Sequence, residues 1–251
     1  MAIDPNNLIG NNANILTIKV RREKMEKVKK HFEEEAKEFD NTILKLIPRY
    51  DDMISCMVSV IPFDSYEEFK LLDLGSGTGN ITKAVKEEYP HSKISCIDIA
   101  ENMIQMAKIK LEDYTDIEYY TGDFSEFDFE EKYDVIVSSL ALHHIKTDAD
   151  KKSFYCKIFS ALKEGGIFLN SDVVLGSNEK LNQIYRKKWI DFMLLNLPEE
   201  EVRKKWLPKQ IEEDFPAPLN NHLKWLRETG FNDIDVVWKY YGLVVYCGTR
   251  P

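Results

Sequence analysis

The stretch that most constrains this chain runs from Lys70 to Asn80, Lys-Leu-Leu-Asp-Leu-Gly-Ser-Gly-Thr-Gly-Asn. Leu71, Leu72 and Leu74 form a short apolar run interrupted only by Asp73, and it breaks directly into Gly75, Gly77 and Gly79. Beyond the glycines, Ile81, Ala84, Val85 and Tyr89 recur at helical spacing until Pro90. The pattern predicts a buried strand, a tight turn and a helix. Glycine is required in such a turn because the backbone bends sharply and a ligand must approach without a Cβ in the way.

Spacing narrows the ligand. A dinucleotide fingerprint puts its third small residue five positions after the first, whereas here the third glycine comes at four and Asn80 takes the fifth. A phosphate-cradling loop would need Gly-Lys-Ser/Thr, which is absent. Alone, the three glycines read equally well as an ordinary strand-to-helix junction. The next predicted strand, Lys93 to Ile97, ends in Asp98, at the position from which a carboxylate can accept both hydroxyls of a ribose. Further on come Thr121-Gly-Asp123-Phe124 after a third strand (Ile117 to Thr121), Tyr133 to Ser139 as a fourth, and Leu162-Lys-Glu-Gly-Gly-Ile-Phe-Leu169 leading into a fifth (Ile167 to Asp172).

This ordered set resembles the class I S-adenosylmethionine (SAM) dependent methyltransferases, over about residues 40 to 250. The resemblance implies an α/β fold, a Rossmann-like, seven-stranded, mostly parallel sheet with a helical cap and a last strand inserted antiparallel between strands five and six. It implies SAM as cofactor and S-adenosylhomocysteine (SAH) as product. The implied cofactor-binding residues are Tyr50, Gly75, Ser76, Gly77, Gly79, Asp98, Ile99, Met103, Asp123, Phe124 and Ser139. Asp123 would accept from the adenine amino group with Phe124 against the ring, and Tyr50, in Ile47-Pro-Arg-Tyr50, would reach the methionine end. Tyr50 also reads as a half-buried packing tyrosine, and Met103, with Ala107 and Leu111, as a core stripe.

After strand four comes Leu140-Ala-Leu-His143-His144. In this family that segment lies beside the sulfonium and lines the acceptor, so His143 and His144 are the candidate catalytic groups, able to take a proton at neutral pH. The bland alternative is a histidine that packs or bonds backbone. No metal site is expected: Cys56, Cys96, Cys156 and Cys247 are widely separated, with neither Cys-x-x-Cys nor a partnering histidine spacing.

The chain divides into an Asn-rich, mobile 1–18, a helical cap segment 19–62, a nucleotide-binding core 63–175, an insertion 176–226 and a closing β-hairpin 227–251. The insertion carries Trp189, Trp206, four prolines and a basic cluster, Arg186, Lys187, Lys188, Arg203, Lys204 and Lys205. It reads as a substrate cap, with a dimer surface as the alternative, so the chain is expected as a monomer or homodimer. A net charge of −9 argues against broad binding to nucleic acid or anionic membrane. No apolar run approaches the ~20 residues of a membrane span, and the N-terminus lacks a signal-peptide pattern, so the expected compartment is the cytoplasm. The leading expectation is methyl transfer to a small-molecule acceptor. A carboxy-SAM synthase-like enzyme, which that family equips with a cap arginine, and a tRNA-modifying or SAM-sensing partner protein are the rivals.

Overall fold

The computed structural model describes residues 38–129 and 131–251. The expectations for 1–18, and for all but the end of a helix over 19–39, lie outside the described residues. From 38 to 46 the chain is helical (α1), and a turn through Arg49, at a left-handed φ of 61°, leads into α2 (Tyr50–Ser59).

The core alternates strand and helix: β1 (Lys70–Leu74), α3 (Asn80–Glu88), β2 (Lys93–Asp98), α4 (Glu101–Lys110), β3 (Ile117–Thr121), β4 (Tyr133–Ser139), α5 (Asp148–Ala161) and β5 (Leu162–Val173). These five strands are parallel, in the spatial order β3-β2-β1-β4-β5. The chain winds outward from β1 through β3, then returns to β4 on β1's other side. That reversal leaves a crevice between the carboxyl ends of β1 and β4, the place where open α/β sheets bind ligands. β1 and β4 read as apolar runs rather than alternating strands because helices bury both faces. One core cluster, with Leu72, Ile136 and Phe168, packs under α5; the other, with Leu71, Val85 and Val137, packs under α2 and α3.

After β5 the chain makes α6 (Glu179–Asn196), then α7 (Glu199–Glu201), which continues through a wider π turn at Val202–Trp206 into α8 (Leu207–Glu213). Next, α9 (Leu219–Thr229) ends at Gly230, whose φ of 110° fits a left-handed helix cap. α9 lies against α5, with Trp225 beside Tyr155 and Glu228 paired with Lys152. α9 thus packs on the core, and the segment before it, 176–218, holds α6 to α8. β6 (Asn232–Tyr240) forms the sheet edge, and β7 (Leu243–Thr249) runs antiparallel between β5 and β6. Strand five begins earlier than the Ile167 expected: Leu162 already pairs with Tyr133, a register shift follows, and Gly165 sits inside the strand at φ 76°.

Candidate active site

The glycine turn closes on β2. Gly75 and Ser76 both donate to the Ile97 carbonyl, and Gly77 N–H donates to Asp98 Oδ2 at 2.8 Å, while Asp98 Oδ1 takes the Ala100 N–H at 2.9 Å. The three glycines have left-handed φ angles but different neighbours. A Cβ at Gly75 would stand 2.5 Å from the Ala141 side chain, and one at Gly79 would stand 2.7 Å from Leu111. A Cβ at Gly77 would meet nothing within 4 Å. Gly75 and Gly79 are thus small so that β4's exit and α4 can pack close. Gly77 alone turns an open face to the crevice, with the Asp98 carboxylate beside it. A carboxylate has about four acceptor positions, so two backbone donors leave Asp98 able to accept ribose hydroxyls. The turn fits an adenosine-type cofactor on these grounds.

Behind the turn lies a clasp that sequence reasoning missed. Asp40, on α1, accepts from Thr78 Oγ1 at 2.8 Å and Asn80 Nδ2 at 3.1 Å, and pairs with Lys110 Nζ at 2.5 Å. Asn80 Nδ2 also donates to the Tyr50 hydroxyl at 3.3 Å, and burial pushes that phenol up to about 12. Tyr50 therefore points its hydroxyl at the helix start after the glycines. Asp73, on β1, is buried and accepts from Thr82 Oγ1 at 2.7 Å; burial pushes its carboxyl up to about 7. The one signal for Asp73 in the sequence was an acid interrupting a leucine run.

The other expected cofactor positions lie at or just after the ends of β1 to β4 or sit on α4, and none of them lines the cavity described below. Ile99 is 69% exposed at the end of β2, and Met103 is half-buried on α4 while Ala107 and Leu111 are fully buried. Phe124 lies within reach of Gly75 and packs on Phe154. Asp123 is exposed, and its Oδ1 accepts from the N–H and hydroxyl of Ser125. Ser76 is buried, and Ser139 Oγ accepts from Ser171 Oγ at 2.9 Å.

At the β4 side, Leu140 adopts a φ of 53°, uncommon for a branched side chain and a form of strain that collects at functional sites. A short 3₁₀ turn, Leu142–His144, follows. His143 is buried, its Nδ1 is 2.5 Å from Asp172 Oδ1 on β5, and its Nε2 is 3.5 Å from Asp214 Oδ1 at the end of α8. Burial works against the imidazolium, but the two carboxylates outweigh it and hold His143 well above its ordinary value. Asp172 stays below the usual carboxylate range because the His143 charge beside it overcomes its own burial. His144 is about half exposed, with Nδ1 donating to the Glu213 carbonyl at 2.9 Å and lying 3.7 Å from Asp214. Asp172 in turn joins a buried network: Asn170 Nδ2 donates to Tyr246 at 2.7 Å, Tyr246 meets Tyr155 at 2.6 Å, and Tyr155 meets His222 Nδ1 at 2.6 Å.

His143, His144 and Leu140 form one wall of a cavity of about 650 Å³. α1 supplies Phe39 and Ile43, α6 supplies Tyr185 and Trp189, and Trp206 and Tyr241 complete an aromatic lining. α1 and α6 are joined where Trp189 Nε1 donates to the Leu46 carbonyl at 2.8 Å. The basic cluster is largely neutralised, since Arg203, Lys204 and Lys205 each pair with a glutamate one turn earlier, and Lys187 pairs with Asp191. No helix among the described residues is long and apolar enough to cross a membrane.

Residues 66–230 match the protein family described as Methyltransferase domain. A carboxy-S-adenosyl-L-methionine synthase of Nautilia profundicola is 26% identical over 91% of this chain and 97% of its own length, and one of Staphylococcus epidermidis is 30% identical over 84% and 92%. A malonyl-[acyl-carrier protein] O-methyltransferase of Ilyobacter polytropus is 30% identical over 58% of this chain, and this chain spans about half of it. Among solved structures, human N-acetylserotonin methyltransferase in complex with SAM superposes with a TM-score of 0.58 at 20% identity, over 87% of this chain and 56% of that one. An O-methyltransferase family 2 protein of Planctomyces limnophilus, in complex with apigenin, gives 0.62 at 21% identity, over 87% and 62%. This chain thus spans a little over half the length of those structures, and the likeness extends to the fold. By sequence match and sheet topology together, the chain belongs to the Methyltransferase domain family and has the fold of the class I SAM-dependent methyltransferases.

Proposed function

We propose that this chain transfers the sulfonium methyl group of SAM to a small-molecule acceptor held in the cavity between α1 and the 176–218 segment, releasing SAH. The observation that carries this reading is the open face of Gly77 beside Asp98 after β1, while Leu140 and His143, in the wall of the cavity, follow the neighbouring strand β4. Asp98 would take the ribose hydroxyls, Phe124 and Met103 would flank the adenine with Ile99, and Asp123 would accept from its amino group. Tyr50, Ser76, Gly75, Gly79 and Ser139 would border the methionine end. The reaction asks for little covalent chemistry from the protein. The sulfonium is already activated, so rate comes from holding two reactants in line and excluding water.

The acceptor's proton is the remaining problem. His143 already carries a proton between two carboxylates, so it takes up another's proton only after its own passes to Asp214 or the acceptor displaces that carboxylate. His144, half exposed, faces the same space. The compartment expected is the cytoplasm, the partner a small molecule, and the assembly a monomer or homodimer.

One observation favours the second reading, a carboxy-SAM synthase-like enzyme: the relatives of that name match over nearly their whole length. Such an enzyme needs a cation for the added carboxylate. Arg203 is spent on Glu199 at 2.7 Å, whereas Arg186 lines the cavity, and Arg186 is the residue to carry that role here. Mass spectrometry of the cofactor that co-purifies separates the two. SAM or SAH, followed by acceptor-dependent SAH release across a panel of amines, thiols, hydroxyls and carboxylates, supports methyl transfer; a mass heavier by a carboxylate overturns it.

A further inference from the structure

The cluster at the end of β4 holds more ligating chemistry than one proton requires. His143 Nε2 and His144 Nδ1 stand 3.5 and 3.7 Å from the same Asp214 oxygen, and three donor atoms, one from each side chain, lie within 4.8 Å of one another. A charge-assisted hydrogen bond closes to about 2.7–2.9 Å, and the opposite nitrogen of His143 does close on Asp172, to 2.5 Å. The two longer separations are too wide for such bonds. They match the edge of a tetrahedron whose corners sit about 2.1 Å from a shared centre, an edge of about 3.4 Å.

The second observation is how His143 is held. Asp172, 1% exposed, fixes the Nδ1 side of the ring and thereby presents Nε2 to the cluster. An outer carboxylate on the far nitrogen is the arrangement that orients a metal-bound imidazole and raises its basicity. Asp172 is itself set by Asn170 and the Val173 N–H.

We propose that His143 Nε2, His144 Nδ1 and Asp214 Oδ1 bind one divalent transition-metal ion of the Zn²⁺ or Co²⁺ type, at the wall of the acceptor cavity. Two imidazoles and a carboxylate are a borderline donor set that suits such ions better than Mg²⁺ or Ca²⁺. Three protein ligands leave positions free toward the cavity, which is the layout of a catalytic rather than a structural site. His144 Nδ1 donates to the Glu213 carbonyl at 2.9 Å in the absence of the ion, so an ion on that nitrogen's one in-plane lone pair takes the place of that proton, and the carbonyl oxygen either swings aside or becomes a further ligand. The sequence offered no warning because the ligands are two neighbours and a residue some seventy positions later, inside the insertion.

The ion's chemical use rests on the methyl-transfer reading, although its binding does not. An acceptor hydroxyl or thiol coordinated there would release its proton to water and attack the methyl carbon. The new bond to carbon forms as the carbon–sulfur bond breaks, and that bond's electron pair stays on sulfur as the thioether of SAH. Because Asp214 lies beyond α8 and the histidines follow β4, the same ion would pin the cap to the core.

The test uses the untagged, full-length chain, stripped with chelator and dialysed against Co²⁺ or Zn²⁺, with SAH titration of the same sample. One Co²⁺ per chain with the visible absorption of a tetrahedral site is expected. His144→Gln, at a half-exposed position with little risk to folding, should weaken uptake at least a hundredfold, and Asp172→Asn by 10–100-fold. Uptake with both parts of that pattern carries the proposal. A chain that binds SAH yet takes up no more Co²⁺ than His144→Gln overturns it, and leaves an imidazolium clamped between two carboxylates. Stoichiometric Co²⁺ with no SAH binding keeps the metal site and sinks the cofactor reading instead.

Discussion

The two ends of the β1–β4 crevice are built in opposite ways. On the β1 side, the turn and Asp98 come from one continuous strand-turn-helix-strand unit, and backbone N–H groups bond the carboxylate directly. On the β4 side, His143, Asp172 and Asp214 come from three separate segments, His143 and Asp172 as a buried pair and Asp214 part-exposed beside them. The first end is held by local geometry, so altering it should change binding more than folding. The second is held by the tertiary structure, so altering it should change folding as well.

The sharpest break of that contrast is Asp172→Asn. It leaves the buried imidazole of His143 with only the more distant Asp214, and breaking a buried pair costs about 3–5 kcal/mol. Urea unfolding should show that loss; a change under 1 kcal/mol would mean that the β4 side is no more dependent on tertiary charge than the turn. Gly77→Val should act the other way. A β-branched residue at φ 53° costs the fold about 1–3 kcal/mol, yet SAH affinity should fall more than a hundredfold because the new side chain occupies the open face. Normal SAH binding by folded Gly77→Val would detach the turn from the ligand. For Asp98→Ala, calorimetry should show SAH binding weaker by tenfold or more, from the loss of about 1.5–3 kcal/mol of charge-assisted hydrogen bonding. Unchanged affinity would remove Asp98 from the site.

A smaller effect sharpens the β4 side. Burial holds the His222 imidazole down at about 4, against an ordinary value of 6.5. Between those values the unfolded chain takes up a proton that the folded chain refuses, so stability falls as pH drops, by about 2 kcal/mol at pH 5. Asp73, held near 7 by burial, pulls in the opposite direction over the same range. The slope is therefore read as the difference between the wild type and His222→Gln; equal slopes would show that His222 is not held neutral. The smallest effect concerns the cavity roof. Trp189→Phe removes the bond to the Leu46 carbonyl, worth about 1 kcal/mol. Hydrogen exchange should then speed up in 38–46 and α6 without ligand and slow again with SAH. Protection that tracks protein concentration instead would make 176–218 a dimer interface.

Legibility followed the same division. β1 and β2 were readable because an apolar run, three glycines and a terminal acid lie within one short segment, and β3 and β4 because each is a local strand pattern of its own. Strand five was placed late because Leu162 is drawn into pairing with Tyr133 before the glycines, a tertiary preference that local composition does not carry. His143 was singled out by the resemblance, but its meaning lay in Asp172 and Asp214, and no spacing links those three. Asp40 was hidden for the same reason, since its partners Thr78, Asn80 and Lys110 lie beyond two further elements. Asn170 and Asp172 did leave a trace, as polar residues two apart in a strand otherwise fit for the core.

α1 is fastened at two points. Asp40 bonds the glycine turn; at the helix's end the Leu46 carbonyl accepts from Trp189, while Phe39 and Ile43 line the cavity. A helix anchored in both half-sites would link their occupancies thermodynamically. Whatever free energy a bound cofactor transmits through it to the acceptor, the acceptor must return in equal measure to the cofactor. An ordered sequence of ligand arrival would then need no separate gate, because each ligand's affinity would depend on whether the other had already set the helix.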